Sequence, residues 1–193
     1  MTVKVKLITP SQWDALPPKA EPELVGKSAR IIFHHTAGHG KGPSRDDAMQ
    51  YARLIQRDHM MPGGLGVKDG GNDSGHNFLV MRSGLILVGR WFTVTAIQHG
   101  LMVRSAHCRG QNEQIGIEHE HLGDEKMTAP QRRSSARLQA WIADRYGRKV
   151  VLPAAPHNSF SATACPANLI DEIEPIRKLA QAILAAEGGP NVC

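Results

Sequence analysis

Three separated patches of the sequence carry residue types that zinc chemistry uses. They are His34-His35 at the end of an apolar run, Glu118 inside the alternating stretch Ile115 to Glu120, and the segment from Pro156-His157 to Thr163-Ala164-Cys165-Pro166. Imidazole nitrogen and cysteine thiolate are zinc donors, and a hydrolytic site holds the ion with three protein ligands and keeps a fourth position open. An ion so held brings the ionisation of water down to about pH 7, and a neighbouring carboxylate can carry the proton. His157 and Cys165 stand eight residues apart, too far to share one helical face, so a site using both must close across a loop. By spacing alone such a pair arises by coincidence more often than as a site.

The surrounding pattern supplies elements that could position these groups. Arg30 to His35 reads as a buried strand, ended by Thr36-Ala37-Gly38-His39-Gly40. Ser44 with Asp47 is a helix N-cap signature, and Ala48, Tyr51, Ala52 and Ile55 follow at helical spacing, which predicts a helix over about 45–59. Met61 to Gly75 is a glycine-rich loop, either a wall of a binding groove or an inert connection. Asn77–Arg82 and Leu85–Arg90 read as a hairpin closed by Ser83-Gly84, and Thr93–Ile97 as a short strand. Ile115 to Glu120 alternates, placing Glu118 and Glu120 on one face and Ile115, Ile117 and His119 on the other. Thr128 with Gln131 reads as a capping box opening a helix that stops at Gly147. Val150–Leu152 is a brief strand candidate. A last helix carries Leu169, Ile170, Ile173, Ile176, Ala180, Ile183 and Leu184 on one face and ends at Gly188-Gly189, with Pro175 kinking it or marking its first turn. Interleaved strands and helices predict an α/β fold, a central mixed sheet flanked by helices in a single domain over 1–193, with residues 1–28 as an extended arm packed on it.

Composition narrows the partners. The chain has 193 residues, of which 41% are hydrophobic and 21% charged, as in an ordinary globular domain. It contains no apolar run of the roughly 18 residues that a spanning helix needs, so no membrane span is expected. Residues 1–10 lack the apolar core and cleavage pattern of a secretory signal, which leads to an expectation of synthesis in the cytoplasm. The net charge of +5 fits an anionic partner or simply a solvated basic surface. Only 5% of residues are aromatic and the basic residues do not cluster, so nucleic acid is not an expected partner. Three cysteines, Cys108, Cys165 and Cys193, make no disulfide framework. Cys108 beside His107 lacks the third, orienting group that a cysteine nucleophile requires.

Taken in order, several stretches resemble one family. Ile8-Thr9-Pro10-Ser11-Gln12-Trp13 with Pro17-Pro18, then Ile31 to Gly38, then Ser74-Gly75-His76-Asn77-Phe78-Leu79-Val80 are similar to peptidoglycan recognition proteins and the related zinc N-acetylmuramoyl-L-alanine amidases of phages and bacteria. Ser105 to Gly110 with Asn112, running into Ile115 to Glu118, and His157 to Cys165-Pro166 continue the resemblance, which spans roughly residues 8–170. It implies Zn2+ held by His34, His157 and Cys165, with Glu118 as general base. It also implies cleavage of the amide between N-acetylmuramic acid and L-alanine in peptidoglycan. His76 stands where many catalytic members carry tyrosine and another branch histidine. Thr163 stands where lysine or threonine is found, so both are expected as catalytic assistants. Pro156 and Ala167 occupy positions where glycine is common.

His107, Asn112 and His35 are candidates for substrate contact, although His35 points to the strand face opposite His34 and reads rather as a core or supporting histidine, and His107 could equally orient the site or be structural. Glu120 could support a ligand or end a solvated strand. His119 and His121 read as packing or surface residues, and His39 and His59 as surface residues. The resemblance further implies a phage-type endolysin, monomeric and released at lysis. The alternative is a peptidoglycan-binding module without catalysis, although such relatives commonly lose a ligand and none is missing in this sequence.

Overall fold

The computed structural model describes residues 2–188. In chain order the strands are β1 (Leu24–Val25), β2 (Ile31–His35), β3 (Phe78–Val80), β4 (Ile86–Val88), β5 (Met102–Val103), β6 (Ile115–His119) and β7 (Ala154–Pro156), and the helices are α1 (Arg45–Met60), α2 (Thr93–Gln98), α3 (Ala129–Arg145) and α4 (Ile170–Glu187). Five strands form one sheet in the order β4-β3-β6-β2-β7, and β1 pairs with β5 in a separate two-stranded ribbon. Within the large sheet β2 runs parallel to β6 and β7, β3 runs parallel to β6, and only the β3–β4 hairpin is antiparallel. The expected α/β fold with a central mixed sheet is therefore present.

Alternation along β2 and β6 divides the sheet into two working faces. Ile31 and Phe33, with Ile115 and Ile117, enter the larger core against α3 and α4, where Trp141, Ile142, Ile173 and Ile176 pack. Leu79, Met81 and Leu87 face the other way, onto Ala48, Ala52 and Ile55 of α1 and onto Trp13 of the N-terminal arm. Side chains alternate with a period of two, so His34 and Glu118 emerge on the α1 side. The arm is held by an Ile8 bridge to Leu87 and by Trp13, whose indole N–H donates to the Val88 carbonyl at 3.0 Å.

Helices α1 and α3 start where expected. The Ser44 hydroxyl accepts the Asp47 N–H of α1 at 3.1 Å, and the Thr128 hydroxyl accepts the Gln131 N–H of α3 at 3.2 Å. The second is half a capping box. The Gln131 side chain does not return to Thr128 but donates to the carbonyls of Val80 and Glu120, tying α3 to the sheet.

Several expectations need correction. Residues 93–98 are helical, not a strand. The β-branched Thr93, Val94 and Thr95 read as strand formers, but Thr93, Ala96 and Ile97 bury one face at helical spacing. Val150–Leu152 is not a strand either. Val151 gives its N–H to the Gln181 side chain, and the edge strand forms two residues later, where Ala154–Pro156 pairs with β2. The hairpin closes with Gly84 N–H on the Met81 carbonyl and Gly84 at φ 86, so its strands are shorter than read. Pro175 lies inside α4, beyond its first turn. Gly189 and Cys193 lie outside the described residues. Among the described residues no helix is long and apolar enough to cross a membrane.

Glu120 is neither a ligand's support nor a solvated strand end. Its carboxylate is buried and accepts the N–H of Gly40 at 2.8 Å with one oxygen and that of Arg82 at 2.9 Å with the other. It thereby joins the loop after β2 to the hairpin. Glu120→Ala leaves two amides without acceptors and is expected to cost about 3 kcal/mol in urea unfolding. Glu120→Gln, with one acceptor oxygen left, should cost about half of that.

Candidate metal centre

The parallel strands β2, β6 and β7 end close together, and the side chains singled out for chemistry lie at or just beyond their carboxyl ends, where open α/β sheets commonly bind ligands. Register does the first part of the positioning. His34 pairs directly with Glu118 across β2 and β6, and Phe33 pairs with Pro156 across β2 and β7, which brings the next residue, His157, level with His34. Cys165 returns on the loop before α4. One ligand atom from each of His34, His157 and Cys165 lies within 4.8 Å of the others.

The tautomers in this cluster follow from hydrogen-bond direction. A carbonyl only accepts, so His107 must donate its Nε2–H to Gln114 O at 3.0 Å. Its Nδ1 is then the acceptor for the Nε2–H of His34, at 2.7 Å. That leaves His34 Nδ1 with a lone pair, and it sits 3.7 Å from Cys165 Sγ. A tetrahedral zinc with ordinary bond lengths would separate a nitrogen and a sulfur ligand by about 3.6 Å. His157 Nδ1 is buried with no hydrogen-bond partner, as a nitrogen reserved for a cation would be. The donor set and its spacing fit a zinc ion. His107 itself needs Gly116 beneath it, because a Cβ there would stand 2.5 Å from the His107 ring.

Burial dominates the electrostatics. It holds His34 and His76 well below the usual imidazole pKa, helped by the surrounding histidines, and lowers His107 to about 4. Burial also pushes the Cys165 thiol up to about 12 against the opposing effect of the His35 N–H, 3.4 Å from the sulfur. The cluster is thus a nest of neutral imidazoles around a sulfur that a cation would ionise. Glu118 is buried, and burial raises its pKa. Its Oε2 approaches His76 Nδ1 at 3.0 Å, but without hydrogen-bond alignment, and both atoms lack a hydrogen-bond partner, as does His76 Nε2.

The other expected residues have definite places. His35 is half-buried and contributes its backbone amide to Cys165. Asn112 uses its side-chain oxygen to accept the Cys108 N–H at 3.0 Å and its carbonyl to accept from Ser105, so it ties together the loop that carries His107. Thr163 is exposed and accepts the Cys165 N–H at 3.2 Å, which leaves its hydroxyl hydrogen to donate. Ala167 adopts φ 57, a left-handed conformation that costs a non-glycine residue about 1–2 kcal/mol.

His119 is buried between the His34 carbonyl and the Ser135 hydroxyl and stacks on Phe33, so it packs rather than faces solvent. His121 is also buried and donates to Asn168. His39 is partly buried against Glu125. His59 is not a surface residue: it is largely buried beside His76. Its position could have been read from the sequence, since it extends the Ala48, Ala52, Ile55 stripe of α1 by one more helical step.

The fold is that of an α/β domain with a mixed sheet, and it brings two imidazoles and a cysteine sulfur together beyond the ends of parallel strands. A family model described as N-acetylmuramoyl-L-alanine amidase matches residues 26–168, and the chain belongs to that family. It is 26% identical over 165 residues to peptidoglycan-recognition protein LB of Drosophila melanogaster, covering 83% of this chain and 64% of that protein's length. Among solved structures, Drosophila peptidoglycan recognition protein LB has the same fold with a TM-score of 0.73 at 24% identity, covering 89% of this chain and 94% of that one. Drosophila protein SD gives 0.72 at 19% identity, with 91% and 95% covered. Protein LE, solved in complex with tracheal cytotoxin, a monomeric diaminopimelic acid-type peptidoglycan, gives 0.73 at 24%, with 88% and 92% covered.

If His107 orients His34, both His107→Ala and Gly116→Ala should weaken zinc binding about 10- to 100-fold. Competition against a chromophoric chelator reads this directly. Unchanged affinity in both variants would remove His107 from the arrangement.

Proposed function

We propose that this protein is a zinc-dependent amidase that cleaves the bond between N-acetylmuramic acid and L-alanine in peptidoglycan. One juxtaposition carries the reading: a two-histidine, one-cysteine donor set beside a buried carboxylate, Glu118, whose Oε2 has no hydrogen-bond partner. Zinc bound by His34, His157 and Cys165 would supply Lewis acidity toward water and toward the scissile carbonyl.

The remaining chemistry belongs to side chains. Glu118, with its pKa raised by burial, takes a proton from the water that adds to the amide carbon. It then returns that proton to the alanine nitrogen as the C–N bond breaks, leaving a muramoyl carboxylate and a free L-alanine amino terminus. His76 lies against Glu118 and keeps an imidazole at the reacting centre. The Thr163 hydroxyl can donate to the developing oxyanion. As a neutral donor it stabilises that charge less than lysine would. His35 and Asn112 are assigned to substrate contact near His34, and His107 acts mainly through His34.

Peptidoglycan binding without hydrolysis is the competing reading, and it would not require a buried carboxylate next to the donor set. The net charge of +5 would draw the protein to anionic wall polymers. We extend the reading to a monomeric phage-type endolysin acting on the bacterial wall.

Incubation with purified peptidoglycan should release new L-alanine amino termini, and a chelator should stop the release. Cys165→Ala is expected to lose both zinc and turnover. Glu118→Gln should keep one zinc per chain, by elemental analysis, while kcat falls about 10²- to 10⁴-fold. Full turnover in Glu118→Gln would sink the general-base role, and no chelator-sensitive release from any wall preparation would sink the amidase reading.

A further inference from the structure

His59, at the end of α1, lies outside every role given so far, yet it reaches the reacting centre. A ring nitrogen of His59 lies within 4.8 Å of ligand-type atoms of both His76 and Glu118, and the His59 and His76 rings are 5.5 Å apart between centroids. By donor type alone, His59, His76 and Glu118 could form a second cation site.

Hydrogen-bond direction argues otherwise. The backbone N–H of Gly75 donates to His59 Nδ1 at 2.9 Å. A neutral imidazole has one lone pair, and the amide occupies it, so the ring proton resides on Nε2. A ring in that state offers a hydrogen, not a lone pair, to its neighbours. Two donors, His76 and Glu118, then remain, too few for a three-ligand site.

The same geometry makes His59 a fixed donor beside an underbonded carboxylate. Its backbone carbonyl accepts the Gly71 N–H at 2.8 Å while its ring accepts that of Gly75, so both ends of the 71–75 loop hang on this one residue. Burial lowers the pKa of His59, as a neutral ring requires, with Glu118 the strongest opposing influence.

We propose that His59 is a positioning residue for Glu118: its Nε2–H donates through one bridging water to the carboxylate and holds it toward the attacking water. A ring nitrogen of His59 and a carboxylate oxygen of Glu118 lie within 4.8 Å of each other, a reach that a single water spans. This rests on the amidase reading, since it assigns a support to the base of that reaction.

Two amides separate the functions of the two ring nitrogens. His59→Asn places a carboxamide near Nδ1, able to accept from Gly75 but too short to reach Glu118. His59→Gln extends a carboxamide N–H to the Nε2 position. His59→Asn is expected to keep wild-type melting temperature, zinc content and KM while kcat falls about tenfold, and His59→Gln to recover most of that loss. Long-range ¹H–¹⁵N NMR of the wild-type protein should show the Nε2–H tautomer at His59.

Wild-type kcat in His59→Asn, a loss in that variant matched by unfolding or lost zinc, or an Nδ1–H tautomer would each overturn the proposal. So would two zinc ions per wild-type chain falling to one in His59→Asn, which would make His59 a ligand. A wild-type protein with no turnover would overturn the amidase reading and this inference with it. Turnover that survives His59→Asn undiminished would overturn only the role of His59.

Discussion

The hydrogen bond from His107 Nε2 to the Gln114 carbonyl has only one possible direction, and the orientation of the donor set follows from it. Because the carbonyl must accept, His107 must present a lone pair to His34, and His34 must present its own toward Cys165 and His157. The polarity of one peptide group is thus transmitted through two imidazoles to the place where a cation would sit. Ligating histidines commonly gain orientation and basicity from such outer partners. The arrangement needs little sequence to specify: a carbonyl before β6, a histidine in the preceding loop, and a glycine at position 116 that lets the ring lie on the strand.

That chain of protons would be useless without strand register. His34 and Glu118 are directly paired on adjacent parallel strands, and their neighbours Phe33 and Ile117 point into the opposite core. A slip of one residue in either strand would exchange an imidazole or a carboxylate for an apolar side chain on both faces at once. The burial of Ile31, Phe33, Ile115 and Ile117 against α3 and α4 therefore does more than stabilise the sheet. It specifies which face the reactive groups occupy.

Alternation made this much legible in the residues themselves. The strands at 31–35 and 115–119, the starts of α1 and α3, and the sharing of one face by Glu118 and Glu120 all follow from periods of two and 3.6 and from capping side chains. What escaped had identifiable causes. The Thr93-Val94-Thr95 run has strand-forming residues, but its buried positions repeat at helical spacing. Ala154-Ala155-Pro156 carries no strand signal of its own and is a strand because β2 offers it an edge. His59 escaped because a polar residue at the end of an apolar helical stripe reads as exposed, although the stripe itself places it inward. The convergence of His34, His157 and Cys165 was legible only through the ordered family motifs, since a separation of eight residues says nothing about a loop that folds back.

Glu118 and Glu120 show how a strand separates structure from chemistry. They are the same residue type, two positions apart on one face, and both are buried. Glu120 has an N–H donor on each oxygen, from Gly40 and Arg82, which commits the carboxylate to holding two loops. Glu118 has a ring nitrogen close to Oε2 but not aligned with it, and that oxygen stays unpaired. A buried carboxylate in that state is costly to the fold. The cost is explicable if the oxygen is kept for a proton, and it also explains why the groups around Glu118 are neutral imidazoles. A lysine or arginine in the place of His76 would pair with the carboxylate, stabilise the protein and lower the basicity on which the proposed reaction depends.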